Sequence, residues 1–253
     1  MLAAALLVVQ AAPLRVLFVG NSYTFFNNLP VLVHRIAEAT PGRRIDTDQV
    51  TFPGWTLQRH WLEGPAPRRI REGRRDVVVL QEFSTRPITD PGQFAAYAQL
   101  FNTVVRKAGA RPVLYMTWAR RFAPQNQSIL TNAYRRVGKA IKAPVAPCGE
   151  AWRRWLAAPD APRLHIADDS HPLFRASFMN ALTFVGKLRG VPLTNAPVDF
   201  VGVPGIEYPV DRRPFDGHVD PAELPRLLDC ANEALKDEAA YEAPQRLPAI
   251  VSR

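Results

Sequence analysis

Five short candidate strands alternate with segments of helical periodicity along this 253-residue chain. The candidates cover residues 16–19, 45–52, 76–80, 112–117 and 143–147. An apolar run such as 76–80 suits a strand that is buried on both faces, and the amphipathic segments between the runs suit crossover helices. Strands that alternate with helices form a mostly parallel sheet covered on both sides. The sequence therefore predicts an α/β fold, a flavodoxin-like three-layer α/β/α sandwich with a mostly parallel five-stranded sheet.

The first candidate strand runs directly into a turn that carries a serine. Gly20 permits an abrupt turn, and Ser22 lies just past the carboxyl end of the strand. In an open α/β sheet, ligand crevices form at that end of the strands. A serine there can present its hydroxyl to a cleft, with its own backbone N–H facing the same oxygen. A plain strand-to-helix turn of small polar residues would explain this stretch equally well, so other residues must decide.

A histidine with a nearby carboxylate follows about 150 residues later, in the stretch Asp168-Asp-Ser-His-Pro172. A histidine can take the proton of a serine hydroxyl, which is a poor nucleophile without a base. A carboxylate on the other ring nitrogen fixes the tautomer and the orientation of the imidazole. We therefore predict Ser22, Asp168 and His171 as catalytic residues. Asp169 is too close to His171 in the chain for this role and is expected to face solvent or to cap the following helix.

The two stretches together resemble the SGNH (GDSL-like) hydrolase family, whose first block holds the serine and whose last block reads Asp-x-x-His. The first block here, Gly-Asn-Ser-Tyr-Thr, is similar to that of a bacterial branch with a Gln-Glu-x-Ser third block. The resemblance extends from about Leu14 to about Gly190. It implies a serine hydrolase that transfers an acyl group to water through an acyl-serine and needs no cofactor.

The resemblance also implies an oxyanion hole. The second block of the family is a glycine whose N–H donates to the oxyanion, and Gly54 holds that place in the order here. The usual third block, Gly-x-Asn-Asp, is replaced by Gln81-Glu-Phe-Ser84. Gln81 has the amide chemistry of the missing asparagine, and Ser84 is an alternative donor. We expect the N–H groups of Ser22 and Gly54 and the side chain of Gln81 to hold the oxyanion.

Two further residues follow the fourth candidate strand. Trp118 and Arg120 stand at its carboxyl end, where they are predicted to line the mouth of a substrate site. A tryptophan beside a site suits stacking on a sugar, although a core tryptophan is just as common.

The substrate class rests on analogy. We expect a small-molecule or glycan ester, specifically a carbohydrate O-acetyl ester if the protein is exported. An O-acyltransferase with the same triad and a catalytically inactive glycan-binding protein remain alternatives. A further alternative takes His165, Asp168, Asp169 and His171 as metal ligands, although nothing else in the sequence supplies a fixed ligand set. The acyl chain, the alcohol and the oligomeric state are left open.

Charge and composition limit the partners. The net charge of +9 comes from 27 arginines and 5 lysines that are scattered along the chain. Without a basic stripe and interleaved aromatic residues, the sequence does not indicate a nucleic-acid-binding protein. Cys148 and Cys230 are interpreted as small buried hydrophobic residues rather than as a disulfide.

The ends of the chain differ from its middle. Residues 1–12 are typical of the apolar core and cleavage region of a signal peptide, which predicts export to the periplasm or the medium. No later stretch reaches the roughly 18 apolar residues of a membrane span, so we expect no stable membrane insertion after signal removal. Residues 13–190 are assigned to the hydrolase-like domain. Residues 191–253 are expected to be an extension with one helix, 222–236, that packs on the same domain.

Overall fold

The computed structural model describes residues 11–205 and 213–243. Five strands form one parallel sheet with the order β2-β1-β3-β4-β5. They are β1 (Leu14–Gly20), β2 (Ile45–Thr51), β3 (Val77–Leu80), β4 (Arg111–Tyr115) and β5 (Val145–Ala146). This order is that of the flavodoxin-like folds, so the predicted fold class is confirmed.

Helices cover both faces of the sheet. One face carries α2 (Leu29–Ala39), α8 (Cys148–Leu156), α9 (Phe174–Arg189) and α10 (Leu224–Glu242). The other carries α3 (Leu57–Glu63), α4 (Pro65–Arg71), α6 (Pro91–Lys107) and α7 (Asn126–Ile141). Two single turns, α1 (Ser22–Phe25) and α5 (Arg86–Thr89), lie at the carboxyl ends of β1 and β3.

The central strands contribute to two separate cores. Val16 and Phe18 of β1 pack in the first core, whereas Leu17 and Val19 pack in the second. The same alternation occurs along β3. Since successive side chains of a strand point to opposite faces, a strand between two helical layers must be apolar at every position. This requirement explains why these strands were visible in the sequence as continuous apolar runs.

The chain beyond residue 190 has more structure than the sequence indicates. A two-stranded antiparallel sheet forms from β6 (Asp199–Val203) and β7 (Phe215–His218). The helix α10 packs on α8 and α9 and ends at Glu242, six residues beyond the predicted end. Its last turns are polar in sequence, but buried Glu238 lies 2.9 Å from Arg135 of α7. Contacts with other helices therefore extend a helix whose sequence alone reads as a loose tail.

The predictions for the two ends of the chain and for the cysteines have different outcomes. Most of the proposed signal segment lies outside the described residues, and the domain division at residues 12 and 190 stays a prediction. Among the described helices, none is long and apolar enough to cross a membrane. Cys148 and Cys230 are both buried and not bonded to each other.

Candidate active site

The serine turn is built around a glycine, because there is no room for a side chain beside it unless its neighbours shift. A Cβ atom added to Gly20 would lie 2.4 Å from both Gln81 Oε1 and Thr24 Oγ1. The side chain of Asn21 then caps α1 by accepting the backbone N–H of Tyr23 at 3.1 Å. Ser22 is the first residue of α1, where backbone N–H groups have no partner within the helix. The turn thus leaves Ser22 partly exposed, with a free N–H beside its hydroxyl.

The structure brings the three predicted catalytic side chains together. Ser22 Oγ lies 2.8 Å from His171 Nε2, and His171 Nδ1 lies 2.5 Å from Asp168 Oδ2. The other carboxylate oxygen of Asp168 accepts the backbone N–H groups of Ser170 and His171 at 3.0 and 2.9 Å. This geometry matches the arrangement of nucleophile, base and orienting carboxylate in serine hydrolases.

The surroundings of Asp168 keep it ionised. Burial by itself would raise the pKa of this carboxyl, but the hydrogen bonds from His171 and from two backbone N–H groups lower the pKa to about 2. The carboxylate is therefore charged at neutral pH, so it can accept the Nδ1–H of His171. In the neutral imidazole, a proton placed on Nδ1 by that bond leaves Nε2 as the acceptor directed at the Ser22 hydroxyl.

Aromatic rings hold the imidazole of His171 in place. Phe26 stacks on it with a centroid distance of 4.3 Å and an interplanar angle of 17°. Tyr23 meets it edge-on at 5.5 Å. The ring can therefore rotate little between the carboxylate and the serine.

The neighbouring carboxylate, Asp169, has a different environment. Its backbone has a φ of +59°, and its Oδ1 binds Arg121 at 2.6 Å and Arg163 at 2.8 Å. The hydrogen bond from Arg121 lowers the pKa of Asp169. Asp169 is thus ion-paired, which differs from the expected solvent-facing or helix-capping role, and only Asp168 contacts the histidine.

Gln81 lies behind the serine turn with its amide fully used. Its oxygen accepts the Asn21 backbone N–H at 2.8 Å and the Thr24 hydroxyl at 2.9 Å. Its nitrogen donates to Asn21 Oδ1 at 3.0 Å and to the carbonyl oxygen of Glu82 at 2.5 Å. Both amide hydrogens therefore have partners inside the protein, and the side chain is completely buried. The oxyanion role of Gln81 stays a prediction, while its structural role is to hold the serine turn.

Gly54 lies in an exposed turn after β2, with a φ of +68° that favours glycine. The turn is fixed to the serine turn, because Asn21 Nδ2 donates to the carbonyl of Trp55 at 2.9 Å. The Gly54 N–H has no acceptor within the described residues, and no atom lies within 4 Å of where its Cβ would be. The structure thus leaves this N–H free beside the serine loop.

Trp118 lies beneath the site, not at its mouth. Its ring is 1% exposed and is stacked between Tyr23 at 4.3 Å and Trp152 at 4.2 Å. Its indole N–H donates to the carbonyl of Ser170 at 2.9 Å. Both ring faces are covered, which matches the alternative of a core tryptophan, and the residue supports the loop that carries His171.

Arg120 remains at the rim of this region. Its side chain is half-buried, and its Nη2 lies 3.4 Å from Ser84 Oγ. Ser84, the alternative oxyanion donor, is itself 6% exposed.

Two buried titratable residues next to the serine turn have structural roles, as the sequence suggests for a histidine of the second crossover helix and for a carboxylate at the end of the third strand. His60 of α3 lies 2.8 Å from the carbonyl of Gly20 through Nε2, and burial lowers its pKa to about 4. Glu82 accepts the N–H groups of Leu57 and Phe83 at 3.2 and 2.6 Å, and burial raises its pKa to about 7.

The four side chains considered as metal ligands do not form one site. His165 Nε2 lies 3.0 Å from the carbonyl of Ala119, and Asp169 is bound by two arginines. Within residues 11–205 and 213–243, no three His, Cys, Asp or Glu side chains are grouped so as to hold a metal ion.

Comparison with known proteins gives matches at the level of structure only. No protein-family model matches the sequence. No curated protein matches it either. Among solved structures, a protein of Slackia heliotrinireducens assigned to the SGNH hydrolases superposes with a TM-score of 0.60 at 22% identity, covering 70% of this chain and 99% of that one. An acetyl xylan esterase superposes with a TM-score of 0.57 at 14% identity, covering 69% and 100%.

A third structure extends the match toward the C-terminus. A DUF4886 family protein of Bacteroides uniformis superposes with a TM-score of 0.63 at 15% identity and covers 94% of this chain and 98% of that one. The part beyond the hydrolase core therefore also has a structural counterpart. Together with the parallel sheet and its strand order, these matches show that the chain has the fold of the SGNH hydrolases.

Proposed function

We propose that the protein is a serine esterase that hydrolyses carboxylic esters through an acyl-serine intermediate. The observation that carries this proposal is the continuous hydrogen-bonded series Ser22–His171–Asp168, with heavy-atom distances of 2.8 and 2.5 Å. A serine at a helix start has no structural need for a histidine, and among the described residues Nε2 of His171 has no other polar partner. An inactive binding protein would not require this alignment.

In the first half of the reaction, Ser22 Oγ attacks the ester carbonyl carbon while its proton passes to Nε2 of His171. The ionised Asp168 stabilises the resulting imidazolium. Nε2 then returns the proton to the departing alcohol oxygen as the carbon–oxygen bond of the ester breaks. In the second half a water molecule attacks the acyl-serine, with His171 as base, and the carboxylic acid leaves.

The oxyanion that forms in each half-reaction needs preorganised donors. The backbone N–H groups of Ser22 and Gly54 suit this role, because neither has an acceptor within residues 11–205 and 213–243 and because both loops are joined through Asn21. Whether a third donor comes from the block of residues 81–84 is decided by the mutants described in the Discussion. The arrangement supports an oxyanion hole with at least two backbone donors.

The finer substrate proposal is a carbohydrate O-acetyl ester. Support comes from the fold, which is shared with acetyl xylan esterases, and from half-buried aromatic side chains close to the site. Trp55 follows Gly54 and stacks on Phe52 at 4.1 Å, with the guanidinium of Arg59 4.6 Å from its ring centroid. The Trp55 ring is half-buried, and a sugar would meet the part of it that Phe52 and Arg59 leave exposed.

Covalent labelling provides the direct test. Purified protein is treated with a fluorophosphonate, and the modified peptide is identified by mass spectrometry, with Ser22→Ala as the matched control. We expect one modification, on Ser22, together with hydrolysis of 4-nitrophenyl acetate. Wild-type protein that neither reacts with the reagent nor hydrolyses the ester would overturn the proposal.

A further inference from the structure

An arginine without an anionic partner stands beside the candidate active site. Arg120 follows β4, and within the described part of the chain its guanidinium makes no ion pair. Its contacts there are with hydroxyl groups, of which Ser84 Oγ lies 3.4 Å from Nη2, and its buried Nε has no hydrogen-bond partner among the described residues. A guanidinium carries five N–H donors. Most of the donors of Arg120 are therefore unused by the protein.

The adjacent arginine shows that the chain can supply a counter-ion at this place. Arg121 is 57% exposed, yet its Nε lies 2.6 Å from the carboxylate of Asp169. Arg120 is more buried than Arg121 and has no such counter-ion among the described residues. A charge that is partly removed from water without a partner raises the free energy of the folded state. Such an arrangement is typical of sites where a ligand brings the opposite charge.

Hydroxyl groups connect Arg120 with the triad. The Tyr23 hydroxyl lies 2.8 Å from Ser170 Oγ. Burial raises the pKa of Tyr23, while its hydrogen bonds to Ser170 and Ser84, and the charge and hydrogen bonding of Arg120, act in the opposite direction. The phenol, the Ser84 hydroxyl and the guanidinium are thus neighbours. Tyr23 follows Ser22 in the chain, and its hydrogen-bond partner Ser170 precedes His171. The phenol and the hydroxyl that it contacts are therefore each one residue away from a member of the triad.

We infer that Arg120, together with the adjacent hydroxyl of Ser84, binds a carboxylate carried by the ester substrate. The inference rests on the proposed function and narrows its substrate class to anionic esters. A guanidinium binds a carboxylate through parallel N–H donors, and the neighbouring hydroxyl can donate to the same group. The carboxylate belongs either to the acyl half, as in a hemiester of a dicarboxylic acid, or to the alcohol half, as in an O-acetylated acid sugar.

Two pairs of esters distinguish these sources. Phenyl acetate is compared with 4-carboxyphenyl acetate for the alcohol half, and phenyl butyrate with phenyl hydrogen succinate for the acyl half. For each ester, kcat/KM of the wild type is divided by that of Arg120→Gln, which cancels intrinsic reactivity. We expect this ratio to be at least about tenfold larger for the anionic ester of one pair, mainly through KM. Arg120→Lys should retain part of the preference.

The control is Arg136→Gln, which removes the same charge from an exposed position of α7. It should leave all ratios unchanged. A wild-type measurement covers the case in which Arg120→Gln does not fold: added NaCl should weaken the preference for the anionic ester without changing kcat/KM for its neutral partner.

The inference alone would be overturned if the ratio of wild-type to Arg120→Gln kcat/KM were equal for neutral and anionic esters. It would also be overturned if the wild type preferred an anionic ester but neither the substitution nor salt changed that preference. In that case hydrolysis of the neutral esters would still support the proposed function. Failure to hydrolyse any of the four esters would count against both.

Discussion

The side-chain oxygen of Gln81 lies 2.8 Å from the backbone nitrogen of Asn21, the residue before the candidate nucleophile. The same amide group also contacts the hydroxyl of Thr24 and the side chain of Asn21. The third strand thereby fixes the position of the serine turn that follows the first strand. A residue that the sequence offers as an oxyanion donor is thus, in the structure, the main support of the nucleophile.

Replacement of Ser22 tests the nucleophile. Ser22→Ala should lower kcat by more than about 10³, since no other hydroxyl is aligned with His171. The melting temperature should stay close to that of the wild type, because Ser22 is partly exposed and packs against little. Ester hydrolysis and thermal unfolding are measured on the same preparation. Activity within about tenfold of wild type would contradict the triad.

The two adjacent carboxylates should differ in their effect on rate. Asp168→Asn should lower kcat by at least about 10², because an amide favours the wrong histidine tautomer. Asp169→Asn should stay within about threefold of wild type, as its partners are Arg121 and Arg163 and not the imidazole. Side-by-side steady-state kinetics decide the matter. The reverse ranking would assign the orienting role to Asp169.

Gln81→Ala separates support from catalysis. If Gln81 only holds the turn, the variant should lose about 2–4 kcal/mol of unfolding free energy, because it leaves several buried partners unsatisfied, while kcat of the folded protein stays within about tenfold of wild type. If its amide also donates to the oxyanion, kcat should fall by about 10²–10³. Ser84→Ala serves as the comparison for the alternative donor. A Gln81→Ala protein with normal stability and normal kcat would exclude both roles.

Glu82 should make stability depend on pH. Burial raises its folded-state pKa to about 7 from an ordinary value of 4.5. The folded protein therefore binds the proton more tightly than the unfolded chain. The contribution of Glu82 to the free energy of unfolding is fully present below about pH 4.5. It is lost as the pH rises through about 7, and the loss amounts to about 3 kcal/mol.

This pH effect is measured against Glu82→Gln, which cannot titrate. Urea unfolding of both proteins between about pH 4.5 and pH 8 should give a difference in free energy that shrinks or changes sign as pH rises. The absolute stability of the variant is not decisive, since an amide at Glu82 Oε2, which has no partner, brings a penalty of its own. Parallel curves would show that Glu82 does not titrate in this range.

Export stays a prediction of residues 1–12. Expression in a bacterial host, with a positively charged start added ahead of Met1, should place the protein outside the cytoplasm. N-terminal sequencing should then find Ala12 or Pro13 as the first residue. Cytoplasmic protein that retains Met1 would contradict the signal-peptide interpretation.

The sheet was predictable because its physics is local. Each central strand lies between two helical layers and is therefore apolar throughout, which a single sequence displays directly. The antiparallel pair β6 and β7 was missed because its strands are short and carry Gly202, Asp216 and Gly217, residues that are depleted in strands.

The candidate site was predictable in its members but not in all their orientations. Ser22, Asp168 and His171 are separated in the chain by a spacing that the resemblance makes informative. The burial of Trp118, in contrast, depends on Tyr23 and Trp152, which are distant from it in sequence. The direction of the Gln81 amide likewise depends on Asn21, and such contacts leave no local pattern.

The ring stack beneath the site has a consequence for spectroscopy. Trp118 and Trp152 are parallel within 3° at a centroid distance of 4.2 Å, so the electronic transitions of the two indoles couple. The near-ultraviolet circular dichroism of the protein then carries a signal from this pair. Trp118 also donates a hydrogen bond to the carbonyl of Ser170. A change in that circular dichroism signal therefore reports a displacement of the segment that carries His171, even when no substrate is present.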